Sequence, residues 1–107
     1  MVTIQTGNSV ATLINIFTVE PENQQKLVDL LIEATEEIMK NMPGFISANI
    51  HKSTDGTRVT NYAQWRSKED FAAMLKDSEA VEHMKSITEI AASDAHTYEV
   101  VESVSAS

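Results

Sequence analysis

No cysteine occurs in the 107 residues, which excludes disulfides, thiolate metal sites, a cysteine nucleophile and iron–sulfur ligation. Glycine is nearly as scarce, and three scattered copies cannot build a phosphate-cradling loop. No serine sits in a nucleophile elbow. The three histidines form no His-x-x-x-His or His/Asp/Glu grouping at ligand spacing, so no intrinsic metal site is expected. Basic residues number 8 against 16 acidic ones, a net charge of −8. Such a field repels nucleic-acid phosphates and anionic membrane surfaces, and otherwise serves solubility. No stretch approaches the roughly 20 apolar residues of a membrane helix. Met1 to Ser9 has no lysine or arginine, so it does not read as a secretory signal. The expectation is a cytoplasmic protein with neither nucleic acid nor membrane as partner.

What remains is an ordinary globular composition, 42% hydrophobic and 22% charged. The length suits one domain, which at this size buries about two-thirds of the surface exposed by its unfolded chain. Residues 1–9 are polar, with Gly7, Asn8 and Ser9, and read as a loose arm or short edge strand. Residues 10–104 form the domain, and 105–107 a frayed end.

Val10 to Val19 is rich in β-branched and aromatic residues, which predicts a strand. Leu13, Asn15, Phe17 and Val19 share one face of it, and Ile14 and Ile16 the other. Pro21 opens a helix whose buried stripe is Leu27, Leu30, Leu31, Ala34, Ile38 and Met42, and Pro43-Gly44 stops it. Phe45 to Lys52 is a second strand, with Phe45, Ser47, Asn49 and His51 on one face. Ser53-Thr54-Asp55-Gly56 makes a hairpin turn into a third strand, Arg58 to Trp65. Ser67 and Asp70 form a capping pair for a helix carrying Phe71, Met74 and Leu75. That helix breaks near Asp77-Ser78 and resumes through Val81, Met84, Ile87 and Ile90. His96 to Val104 is the last strand.

The order β-α-β-β-α-β is the split arrangement of α+β ferredoxin-like folds. It gives a four-stranded antiparallel sheet with its helices on one face. The other face would carry Phe17, Phe45, Val59 and Trp65, an apolar patch too large for a monomer, so two sheets are expected to pack face to face in a homodimer.

The most informative segment is Asn61-Tyr62-Ala63-Gln64-Trp65, a strand with Asn61, Ala63 and Trp65 on one face. Four residues of strand span roughly 13 Å, so a carboxamide and an indole N–H stand at opposite ends of one apolar wall. Both can donate hydrogen bonds to a flat oxygenated ligand without becoming charged. Plainer roles stay open: Trp65 also suits a core filler, Asn61 a backbone hydrogen bond, and Phe71 simple packing. The methionines, Met74 and Met84 among them, suit the core and equally the wall of an aromatic pocket.

Pro43-Gly44-Phe45, the Ser53-Thr54-Asp55-Gly56 turn, and Asn61 to Trp65 followed by Ser67-Lys68-Glu69-Asp70-Phe71 resemble the antibiotic biosynthesis monooxygenases. The resemblance covers roughly Ala11 to Val104. It implies a dimeric α+β barrel and oxidation of an electron-rich polycyclic aromatic, such as an anthrone or quinol, to a quinone by O2 without a cofactor. It also implies that Asn61 and Trp65 act on the substrate, within a pocket to which Asn15, Phe17, Phe45, Phe71, Met74 and Met84 contribute. Where the family's anthrone oxygenases place a tyrosine this chain has Phe71, which has no proton to relay.

A related branch of the same superfamily degrades haem with an asparagine on the first strand, a tryptophan on the third and an iron-ligating histidine on the second helix. Asn15 and Trp65 occupy comparable positions. His83 stands about two residues out of register, which turns it about 200° around the helix. Haem degradation is the alternative enzymatic reading, and a non-catalytic barrel that binds a small molecule is the third.

Overall fold

A computed structural model describes residues 2–6 and 10–106. Four strands, β1 (Ala11–Val19), β2 (Phe45–Lys52), β3 (Arg58–Trp65) and β4 (Ala91–Tyr98), form one antiparallel sheet in the order β2-β3-β1-β4. Helix α1 (Gln24–Glu37) joins β1 to β2, and α2 (Lys68–Leu75) with α3 (Ser78–Thr88) joins β3 to β4. This is the α+β ferredoxin-like arrangement, with the helices on one face of an open sheet.

β1 and β3 form the middle of the sheet because their inward rows are apolar and interdigitate with the helices. Phe17, Val19 and Val59 pack with Leu27 and Leu31 of α1 and Ile87 of α3. A second cluster joins Ala11 and Trp65 to Ile38, Met74 and Ala80. Burying side chains of this size stabilises by about 1.5–3 kcal/mol each.

Local chemistry fixes the connections. A 3-10 turn at Pro21–Asn23 leads into α1. Gln24 Nε2 then donates to the Ser53 and Arg58 carbonyls, both at 3.0 Å, tying α1 to the β2–β3 loop. In that loop Asp55 accepts from the Thr57 backbone N–H and from the Ser53 and Thr57 hydroxyls, which lowers its pKa from 3.8 to about 2. The Ser67 hydroxyl caps α2 by accepting from the Asp70 N–H, and Asp77 caps α3 by accepting from the Ala80 N–H. The Arg66 guanidinium, with the Ser67 hydroxyl, holds the Asp70 carboxyl below its ordinary range.

The expectations need four corrections. First, Phe17, Phe45, Val59 and Trp65 do not lie on the bare face; they point into the helices, and the first, third and fourth are almost wholly buried. The bare face instead presents Ile14, Ile16, Tyr62 and a polar chain in which Asn49 donates to Ser47, Ser47 to Gln64, and Gln64 to Tyr62. Second, β2 does not alternate regularly. A bulge between Phe45 and Ser47 puts Phe45 on the same side as Ala48 and Ile50, away from Ser47, Asn49 and His51. Third, α1 stops at Glu37, and a 3-10 turn at Met39–Asn41 carries the chain to Met42.

Fourth, the last strand is Ala91–Tyr98, five residues earlier in its start than expected, and residues 99–106 have no regular structure. Small residues 91–95 have low strand propensity, but β1 offers them a full register from Val19 back to Thr12. Once that edge is used, Val101 and Val104 have no strand to join and stand 85% and 87% exposed. At the other end, the Thr3 carbonyl accepts from Gln64 Nε2 at 2.7 Å, so this part of the N-terminal arm lies against the bare face. The remainder of that expectation, Met1 and residues 7–9, and the frayed Ser107 lie outside the described residues.

Candidate functional site

Between the sheet and the helices lies a cavity of about 270 Å³, near the lower end for small-molecule sites. It exists because the floor is low: Ala63 on β3 and Ala48 on β2, cross-strand neighbours, carry only methyl groups where a larger residue would fill the space. Leu31 and Ala34 of α1 form the roof. Met39, Met74 and Met84 add flexible thioether walls. Toward β4 the wall reduces to Ser93 and Ala95, both exposed, so the cavity opens along that edge.

All eight side chains nominated from the sequence border this one space: Asn15, Phe17, Phe45, Asn61, Trp65, Phe71, Met74 and Met84. Trp65 is 2% exposed and held by two rings. Phe45 meets it edge-on at 5.4 Å between centroids, and Phe71 lies tilted at 6.2 Å. Among the described residues no protein group accepts from the indole N–H.

Asn15 and Asn61 are paired in register across β1 and β3. The carboxamide oxygen of each is sealed from solvent and has no hydrogen-bond partner among the described residues. Thr35 also borders the cavity, but its hydroxyl donates to the Leu31 carbonyl within its own helix at 2.8 Å. The free polar groups in the wall are therefore two carboxamides, an indole N–H and Ser93 at the rim.

No residue in the wall is titratable. The two carboxyls whose pKa is lowered, Asp55 and Asp70, belong to a loop and a helix cap outside the cavity. None of the histidines reaches it either. His83 borders a separate shallow depression with Ser78, Glu79 and Glu82, while His51 donates to the Asn49 carbonyl and His96 pairs with Asp94 at 2.7 Å. No group of three or more potential metal-ligating side chains occurs among the described residues.

Sequence reasoning missed Ser93, Ala95, Thr35 and Ala48. The first two were hidden by the misplaced last strand. Ala48 was hidden by the bulge, which leaves Ile46 unpaired and 42% exposed.

A wall of neutral donors around an apolar, ring-sized space suits a flat aromatic that becomes anionic as it reacts. A sequence profile described as "Antibiotic biosynthesis monooxygenase" matches residues 11–86. The chain is 48% identical over 83 residues, 78% of its length, to tetracenomycin-F1 monooxygenase of Streptomyces glaucescens, of which 74% is covered. Its fold is similar to that of a monooxygenase from the ActVA-Orf6 gene of Streptomyces coelicolor, solved in complex with nanaomycin D, at 31% identity and a TM-score of 0.78 over 91% of this chain and 92% of that one. It is also similar to SnoaB of Streptomyces nogalater, described as a cofactor-independent oxygenase, at 18% identity and a TM-score of 0.76, covering 90% and 97%. The chain is a monooxygenase of the antibiotic biosynthesis monooxygenase family.

Proposed function

We propose that this enzyme oxidises an electron-rich fused-ring aromatic, an anthrone or quinol, to the corresponding quinone with O2 and without a bound cofactor. The observation that carries the reading is the cavity wall itself: apolar surfaces, two partnerless carboxamides and an indole N–H, with no titratable side chain. The relatives support the substrate class, since one is named for a tetracenomycin and another was solved with nanaomycin D.

The chemistry balances without help from another group. An anthrone loses a proton from its methylene carbon to give a resonance-stabilised anion, which transfers an electron to O2. Recombination forms a carbon–oxygen bond, and the resulting hydroperoxide, once protonated, loses water to leave the ketone. One oxygen atom enters the product and the other leaves as water. The protein holds the rings flat between sheet and helices, keeps bulk water away, and directs the Trp65 N–H and the Asn61 amide hydrogens at the oxygen that carries the negative charge. Haem chemistry receives less support, because no imidazole borders the cavity to serve as an axial ligand.

Incubating the purified protein with dithranol in air and following quinone absorbance tests the reading. Trp65→Phe and Asn61→Ala should retain the fold and lower kcat by about 100-fold each, the usual effect of removing one donor aimed at developing charge. Wild-type protein that leaves the spontaneous oxidation rate unchanged would exclude this function, and equal turnover in both variants would remove the assigned donors.

A further inference from the structure

Met39, Met74 and Met84 line the cavity. A thioether takes up an oxygen atom readily and passes to the sulfoxide, and in a chain without cysteine these side chains are the nucleophilic sulfur of the wall. The oxygenase reading forms a hydroperoxide beside them. To become a ketone, that hydroperoxide must also give up the hydrogen on its carbon, a step that a base accelerates. Among the described residues the wall holds no titratable group. Elimination of water therefore gets no help from the protein, and a neighbouring electron donor competes with it.

Two of the three sulfurs are placed to keep the oxygen they accept. Met74 of α2 and Met84 of α3 border the cavity and also an outer groove of about 310 Å³ between the two helices. Leu75, Val81 and Lys85 in the groove wall are exposed, so the groove faces solvent. A sulfoxide is more polar than a thioether, and an unbranched methionine can turn its new oxygen from the dry side to the wet one. Met39 borders only the inner space of the two. Resting on the oxygenase reading above, we propose that Met74 and Met84 form a sacrificial reducing site for aromatic hydroperoxides, a second activity of the same cavity. The sulfur lone pair attacks the distal peroxide oxygen, and the S–O bond forms as the O–O bond breaks. The proton of that distal oxygen passes to the alkoxide left on carbon. Sulfur is oxidised by the same electron pair that reduces the peroxide, and the products are methionine sulfoxide and an alcohol. No other reductant is needed, and each side chain acts once.

Met42 supplies an internal control. It is half-buried like Met84 and packs against the cluster of Trp65 and Met74, yet it does not border the cavity. Trypsin leaves Met42, Met74 and Met84 on separate peptides, so mass spectrometry follows each sulfoxide by itself. Under nitrogen and without an anthrone, tetralin hydroperoxide should oxidise Met74 and Met84 at least about tenfold faster than Met42, because the cavity holds its fused rings beside the first two sulfurs. Tetralol should appear in step with the sulfoxides. The double variant Met74→Leu, Met84→Leu keeps the packing volume and should lose most of the protein-dependent tetralol. In air, dithranol turned over under oxygen-18 gas, with catalase present to remove free hydrogen peroxide, should leave the heavy isotope in the sulfoxides of Met74 and Met84 and not of Met42.

Equal oxidation of the three methionines by tetralin hydroperoxide, or unchanged tetralol formation in the double variant, would overturn the proposal. Quinone formed from dithranol without labelled sulfoxide also overturns it and leaves the oxygenase reading standing. Selective sulfoxide formation from tetralin hydroperoxide, with dithranol left unoxidised in air, keeps the reducing site and removes the oxygenase reading.

Discussion

Phe71 lies against Trp65 and brings a ring but no hydroxyl into a cavity that already lacks an acid or base. On the proposed oxygenase reading, the lining therefore offers no side chain to take the proton that the substrate loses. This gives a residue-level prediction. The rise of kcat/KM with pH should follow a single titration, that of the substrate's own acidic group, and its midpoint should move with the substrate's pKa when two anthrones of different acidity are compared. A midpoint that stays fixed between substrates would reveal a protein base and contradict the composition of the wall. At this scale the sequence was informative in part. Strand alternation put Asn15 with Phe17 on one face of β1 and Asn61 with Trp65 on one face of β3, because period-two patterning survives wherever a strand is unbroken. It turned Phe17 and Trp65 to the uncovered side, however, where the structure turns them to the helices. It gave no hint that the two asparagines are neighbours, since register is set between strands.

At the scale of elements, β2, β3, and the split between α2 and α3 were legible because each is bounded by a strong local signal, such as Gly44, Gly56, Ser67 or Asp77. β4 was not, because its pairing with β1 outweighs the higher strand propensity of the valines that follow. The bulge in β2 was equally hidden, and it alone decides that Phe45 reaches Trp65. Gly44 precedes that strand with φ of +84°, its carbonyl accepts from the Arg66 N–H at 2.6 Å, and a Cβ there would collide with the Asp70 side chain. Gly44→Ala should lower unfolding stability by at least about 1 kcal/mol from the backbone conformation alone, with a further loss as Asp70 is pushed from the α2 cap. Denaturant titration measures this, and a midpoint equal to that of the wild type would show that the turn relaxes freely.

The whole molecule is asymmetric: helices cover one side of the sheet, and the other is left to Ile14, Ile16, Tyr62 and a chain of amides and hydroxyls. No helix among the described residues is long and apolar enough to cross a membrane. Ile16 is 37% exposed at the centre of the uncovered side, and a second copy of the chain is its expected cover, now on different residues from those the sequence suggested. Light scattering should give twice the mass of one chain for the wild type and a shift to a single chain for Ile16→Lys. A wild-type protein that stays single at tens of micromolar would remove the dimer.

The emptiness of the chamber with respect to acids and bases has an evolutionary corollary. Nothing in its lining is tuned to the acidity of a particular guest, so a new guest requires only a new outline. Exchanges among the alanine, serine and methionine side chains around the hollow would redraw that outline without bringing a charge into it.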